Sequence, residues 1–91
     1  MPKLSIITVC KNAENDIEKT IQSVISQSFC DFEYIIIDGE STDGTLGVIN
    51  KYKEYVNILI SEKDSGIYDA MNKGIANASG EYLNFLNAGD Y

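Results

Sequence analysis

Carboxylates recur in this chain at the places where apolar runs stop. Asp38 closes the run Tyr34-Ile35-Ile36-Ile37 and Asp43 follows in the same turn. Asp64 sits in Ser61-Glu62-Lys63-Asp64-Ser65-Gly66 after a third apolar run, and Asp90 follows Asn87-Ala88-Gly89 after a fourth. Such groups can do one of two things: accept backbone N–H bonds in their own turns, or face a ligand, directly or through a divalent cation. The chain has no histidine, so no imidazole base or imidazole metal ligand can come from it. After the first apolar run it reads Cys10-Lys11-Asn12-Ala13-Glu14, neither a G-x-G-x-x-G fingerprint nor a Walker loop, so glycines cannot cradle the phosphates of a nucleotide. A divalent cation is the expected carrier instead.

The individual residues leave alternatives open. Asp38, at a strand end, either stabilises its turn or touches a ligand. Asp43, before Gly44-Thr45, reads as a helix cap or turn residue. The stretch from Asp38 to Gly44 is no calcium loop, because its glycine falls one place late and the closing carboxylate position is Ile49. Asp64 is either functional or merely solvated. Asp69 and Lys73, four apart on a helix, read as an exposed ion pair, the alternative being that Lys73 approaches a diphosphate.

The elements that must position these groups follow from periodicity. Strands are expected at residues 4–9, 33–38, 56–60 and 81–86. Ile17, Ile21, Val24 and Ile25 mark a helix that opens on an Asn15/Glu18 capping box and ends near Ser28. A second helix spans 45–52, with Leu46, Ile49 and Tyr52 or Lys53 on one stripe. A third carries Ile67, Ala70, Met71, Gly74, Ile75 and Ala78 and closes on Gly80 as a left-handed cap. Gly74 inside it implies close packing on the sheet. This alternation predicts an α/β fold, a three-layer Rossmann-like parallel sheet of order 3-2-1-4. In that order residues 10–14 and 87–90 face each other across a crevice, with Asp38 on its rim.

At 91 residues the chain is one small domain. Seven basic residues against 14 acidic ones give a net charge of −7, with the positives scattered, which excludes a bare nucleic acid as partner. Cys10 and Cys30 lack metal-type spacing and read as free thiols. No leader or membrane span is seen, so a cytoplasmic location is expected.

The runs SIITVCKNAENDIEKTIQSVISQS, EYIIIDGESTDGT and SEKDSGIYDAMNKGIANASGEYLNFLNAGD, in that order, resemble the nucleotide-binding half of family-two glycosyltransferases across essentially the whole chain. The resemblance implies a GT-A fold, an inverting mechanism, a nucleotide-sugar donor and a glycan or lipid-linked acceptor, with bacterial surface-glycan enzymes most similar. It implies that Thr8 and Glu14 lie against the nucleoside and that Asp38 hydrogen-bonds the base, commonly uracil. Asp64, Asn12 and Lys73 fall in the same donor site. The family's Asp-x-Asp motif falls on residues 87–90, where this chain keeps only the last carboxylate. Asp90 is then the expected ligand for Mn²⁺ or Mg²⁺, with Asn87 a weak or water-mediated contributor. The acceptor site, the general base and a station peripheral to the inner membrane are expected of sequence beyond Tyr91, which makes 1–91 a partial domain, inactive in transfer and prone to self-associate through its fourth strand. A stand-alone nucleotide or metal binder, and a purely structural α/β unit, are the other readings.

Overall fold

The computed structural model describes residues 4–26 and 32–89. Four strands, β1 (Leu4–Lys11), β2 (Phe32–Asp38), β3 (Ile58–Ser61) and β4 (Tyr82–Gly89), alternate with three helices, α1 (Ile17–Ile25), α2 (Thr45–Lys51) and α3 (Ile67–Asn77), and a short 3-10 turn covers Lys53–Tyr55. All strand pairs are parallel and the order is β3-β2-β1-β4. This is the three-layer α/β architecture, with the strand order that the alternation predicted.

β2 reads as a continuous apolar run because both of its faces are covered: Tyr34 through Asp38 are all buried. Alternate residues feed two cores. Ile6, Cys10, Tyr34 and Ile36 pack with Ile17, Ile21 and Val24 of α1 and Ile49 of α2. Ile7, Val9, Ile35 and Ile37 pack with Ala70 of α3 on the other face. Right-handed crossovers require this two-and-one division of helices. β4 pays for it in cover: it pairs with β1 along its whole length, yet Tyr82 and Leu83 remain 60% and 42% exposed.

Two glycines are fixed by close approach. A Cβ on Gly74 would lie 2.5 Å from Ile7 Cγ2 in the α3 core, which is the expected reason for a glycine inside this helix. Gly80 is not a left-handed cap. α3 ends at Asn77 with Ala78 extended, and a Cβ on Gly80 would meet Ser5 N at 2.7 Å and Leu4 C at 2.8 Å. Gly80 lets the chain cross β1 closely enough to start β4.

The other boundaries shift for local reasons. α1 begins at Ile17 with no side-chain cap. The carbonyl of Ala13 accepts from the Asp16 and Ile17 amides instead, and Glu18 is engaged elsewhere, accepting from the Tyr52 hydroxyl at 2.8 Å. Its end near Ser28 lies outside the described residues. β3 starts at Ile58, later than expected, because the Asn57 side chain takes up the β2 backbone: Oδ1 accepts from Tyr34 N at 2.7 Å while its own amide donates to Tyr34 O. β1 and β4 both run further toward their carboxyl ends than the sequence pattern suggested, because the pairs Cys10–Ala88 and Lys11–Gly89 continue the ladder.

At the opposite end of the sheet Glu33 clasps the start of β4. Its Oε2 accepts from Ser5 Oγ at 2.6 Å, Ser79 N at 2.5 Å and Ser79 Oγ at 2.9 Å. Ser5 Oγ in turn accepts from Gly80 N at 2.8 Å. Desolvation alone would raise the Glu33 carboxyl, but the bonds from Ser5, Ser79 and Gly80 outweigh it and hold it below the usual glutamate range. A carboxyl depressed on folding contributes stability above its unfolded value, and the contribution is lost as pH falls through the lower folded value.

Two outcomes are expected in thermal denaturation followed by circular dichroism. Gly74→Ala lowers Tm, because overpacking at about 1–3 kcal/mol outweighs the roughly 1 kcal/mol gained in helix propensity; a raised Tm contradicts the close approach. Glu33→Gln is less stable than wild type at neutral pH and shows a shallower loss of Tm on acidification through the carboxylate range. Parallel profiles would remove Glu33 from the clasp.

Candidate functional site

The strand register lines up Ser61, Asp38, Cys10 and Ala88 across the carboxyl end of the sheet. Residues paired in a parallel ladder share a face, and here it is the face covered by α1 and α2, since Cys10 and Ala88 belong to that core. Asp38 is wholly buried. Oδ1 accepts from Ser41 Oγ at 2.5 Å and from the Cys10 thiol at 3.5 Å, and Oδ2 accepts from Ser41 N and Ser61 Oγ, both at 2.9 Å. Burial first, and then the adjacent Asp38 charge, push the Cys10 thiol far above its ordinary value, so it stays protonated and unreactive. It is a free cysteine; Cys30 lies outside the described residues.

The loop after β1 and the loop after β2 are interlocked by reciprocal hydrogen bonds. Ser41 Oγ accepts from Asn12 N at 2.8 Å, and Asn12 Oδ1 accepts from Thr42 N at 2.8 Å. Asp43 Oδ2 accepts from Glu14 N at 3.2 Å, and Glu14 Oε1 accepts from Gly44 N at 2.9 Å. Between them the buried Thr45 hydroxyl accepts from Ala13 N at 2.8 Å and donates to Asp43 Oδ1. The Thr45 hydroxyl, then the Thr45 and Glu14 amides, hold the exposed Asp43 carboxyl below its usual range. Asp43 is therefore a turn residue, as its position before Gly44-Thr45 indicated. Asn12 reaches its place with φ +48°, a left-handed conformation that asparagine tolerates better than most residues.

The remaining sequence-derived candidates divide by location. Thr8 is wholly buried, and its hydroxyl shares a 2.7 Å hydrogen bond with Tyr34 Oη inside the α1/α2 core. Burial pushes the Tyr34 phenol up to about 12 against the pull of that bond. Asp64 is part of the turn into α3, where Oδ1 accepts from Gly66 N at 3.2 Å. Lys73 pairs with Asp69 at 3.6 Å, as the helical spacing suggested, and also with Glu62 at 3.3 Å while donating to Lys63 O at 2.9 Å. Partial burial lowers the ammonium, but Glu62, Asp69 and Asp64 outweigh it and raise Lys73 above its ordinary value.

Asn87 is exposed on β4, opposite Val9 in register and thus on the α3 face, away from Asp38. Asp90 lies outside the described residues. Among the described residues no group of three or more Cys, Asp or Glu side chains is arranged to hold a metal ion. The described residues do not form a metal centre by themselves. The structure thus gathers Asn12, Glu14, Asp38 and Asp43 around two joined loops and leaves Lys73 and Asp64 at the β3-to-α3 turn. Ser41, Ser61 and Thr45 carry the framework but look like ordinary turn formers in the sequence.

The model of the family described as Glycosyl transferase family 2 matches residues 5–91. The chain belongs to this family. Among glycosyltransferases of family 2 and their structural neighbours, a putative teichuronic acid biosynthesis glycosyltransferase, TuaG of Bacillus subtilis, is 39% identical over 98% of this chain and 36% of its own length. TarS of S. aureus, residues 1–349 in complex with UDP, superposes with TM-score 0.85 and 32% identity over 98% of this chain and 28% of that one. The mannosyltransferase PcManGT from Pyrobaculum calidifontis, in complex with GDP-Man and Mn²⁺, gives TM-score 0.81 and 25% identity over 90% and 26%. The chain spans about a third of the length of the curated relatives it matches. The GT-A architecture implied by the sequence is the one these neighbours share.

In this family-2 chain the site's framework is testable without ligand. Ser41→Ala removes a bond to the buried Asp38 carboxylate and the acceptor of Asn12 N, and is expected to cost about 1.5–3 kcal/mol in urea denaturation. Thr8→Val strands the buried Tyr34 hydroxyl at about 1–3 kcal/mol. Losses under 0.5 kcal/mol in both would show that these bonds do not hold the site.

Proposed function

We propose that this chain is the donor-binding half of an inverting glycosyltransferase that takes a sugar from a uridine diphosphate sugar. The acceptor is a glycan or lipid-linked glycan of a bacterial surface polymer. The observation that carries the reading is the hydrogen-bonded joint of the β1 and β2 exit loops at the carboxyl end of the sheet, on a fold that superposes on TarS in its UDP complex. Ligands of open parallel sheets sit where adjacent connections diverge, and here that point lies between β1 and β4. The similarity to TuaG supports the surface-polymer assignment.

Within this reading Asp38 contacts the uracil, Thr8, Asn12 and Glu14 shape the nucleoside side of the crevice, and Asp64 and Lys73 flank it from the β3-to-α3 turn. Mn²⁺ or Mg²⁺ is the divalent cofactor, held by Asp90 and the donor's own diphosphate oxygens, with Asn87 at most water-mediated. PcManGT, a neighbour seen with Mn²⁺, supports a divalent ion. Donor binding is assigned to the chain, which spans about a third of the length of its curated relatives, and the general base and the acceptor site are assigned to none of its residues. No helix among the described residues is long and apolar enough to cross a membrane. The proposed station is cytoplasmic, peripheral to the inner membrane.

Self-association belongs to the same proposal. β4 is an edge strand of eight residues with no charged side chain and no proline, so it lacks the usual protection against pairing. The other edge, β3, has four residues and is followed by Glu62, Lys63 and Asp64.

Calorimetric titration with UDP is expected to show weak binding that Mn²⁺ strengthens in wild type and not in Asp90→Ala. Equal affinities in all four combinations would remove the metal role. Asp38→Ala is expected to weaken uridine and UDP alike, whereas loss of UDP alone would contradict a base contact. Light scattering coupled to size exclusion at micromolar concentration is expected to give a dimer or larger, and a stable compact monomer would contradict the edge argument.

A further inference from the structure

The Asp38 carboxylate has no acceptor capacity to spare. Two carboxylate oxygens offer about four lone-pair positions, and the Cys10 thiol, the Ser41 hydroxyl, the Ser41 amide and the Ser61 hydroxyl occupy them. With the side chain wholly buried, a ligand N–H reaches it only by replacing one of these donors.

The four donors are not equally replaceable. Ser41 gives both its amide and its hydroxyl to Asp38, and the same hydroxyl accepts from Asn12 N at 2.8 Å, so moving it opens the joint between the two loops. Cys10 is buried on a central strand within the α1/α2 core. Ser61 is different. It ends the edge strand β3, the residue is exposed, and among the described residues its hydroxyl is tied to Asp38 Oδ2 alone. Rotation about one side-chain torsion releases Oδ2 without disturbing another contact.

We infer that the Ser61 hydroxyl is a placeholder for the ligand's hydrogen-bond donor: it satisfies Asp38 Oδ2 in the free protein and yields that oxygen to the imide N–H of a uracil-type base. The inference rests on the reading of Asp38 as the base-contacting residue and adds to it a residue that sets how strongly the base is held. A base that presents no N–H at this position has no donor to exchange for the Ser61 hydroxyl, which stays on Oδ2. Asp38 thus sets the preference for a donor-bearing base edge, and Ser61 opposes the binding of such a base by the loss of its own bond to Asp38.

The test compares wild type, Ser61→Ala and Ser61→Thr with uridine and with N3-methyluridine, by calorimetry or chemical-shift titration. Ser61→Ala removes the competing donor and is expected to bind uridine about three- to tenfold more tightly, with no such gain for N3-methyluridine. Ser61→Thr keeps the hydroxyl and is expected to match wild type. Ser61→Ala is also expected to lower Tm, since the free carboxylate loses a bond. Unchanged or weakened uridine binding in Ser61→Ala, with wild type still preferring uridine over its N3-methyl analogue, overturns the placeholder and leaves the base assignment standing. Failure of wild type to bind uridine, or to distinguish it from the methylated analogue, overturns the base assignment and this inference together.

Discussion

A single buried carboxylate governs the shape of the loops at the carboxyl end of the sheet. Removing a charge from water costs several kcal/mol unless hydrogen bonds compensate it, and Asp38 collects its compensation from three separate segments: β1 through Cys10, the exit turn of β2 through Ser41, and β3 through Ser61. Their strand ends must therefore stay level, as the register from Ser61 to Ala88 shows. Once Asp38 holds Ser41, the Ser41 hydroxyl is placed to receive Asn12 N, and the Asn12 side chain in turn receives Thr42 N. Two loops far apart in sequence acquire one common shape. An orphaned partner at any point in such a chain of bonds costs more than the bond itself contributes.

The layer arrangement supports this end of the sheet unevenly. α1 and α2 both lie on the face that carries Asp38, joined by Tyr52, whose hydroxyl donates to Glu18 and accepts from Gln22 at 3.1 Å. α3 alone covers the other face, packed so closely through Gly74 that Ile7 leaves no room for a methyl group. β4 is held at its start by the Glu33 clasp and along its length by β1, and no strand among the described residues pairs with its far edge. The site consequently rests on the well-covered β1–β2 half of the sheet.

Much of this was legible in the sequence because it is written in periodicity. The unbroken apolar run of β2, the alternation that dictates the strand order, and the glycine within α3 each follow from burial on a known face. Asp43 as a turn residue followed from its local setting before Gly44-Thr45. The interlock was not legible, because its partners lie about thirty residues apart and pair through backbone amides, which every residue carries. Glu14 and Asn12 stand out in the sequence as possible ligand contacts, yet here their side-chain oxygens receive amides of the neighbouring loop. Ser61 and Thr45 are small polar residues at element ends, with nothing in type or spacing to mark them. The misread Gly80 has a similar cause: a glycine just past a helix usually marks a left-handed cap, whereas this one answers to a tertiary contact with Ser5.

The loop framework is built before any ligand arrives, with Asp38 at its centre. Backbone amide hydrogen exchange on the ligand-free protein tests this most directly. The amides of Asn12, Ala13, Ser41, Thr42 and Gly44 are expected to be protected in wild type and to lose protection together in Asp38→Ala, while those of Ile7 and Ile36 stay protected. Fast exchange at the loop amides in wild type, or protection that survives in Asp38→Ala, would contradict it.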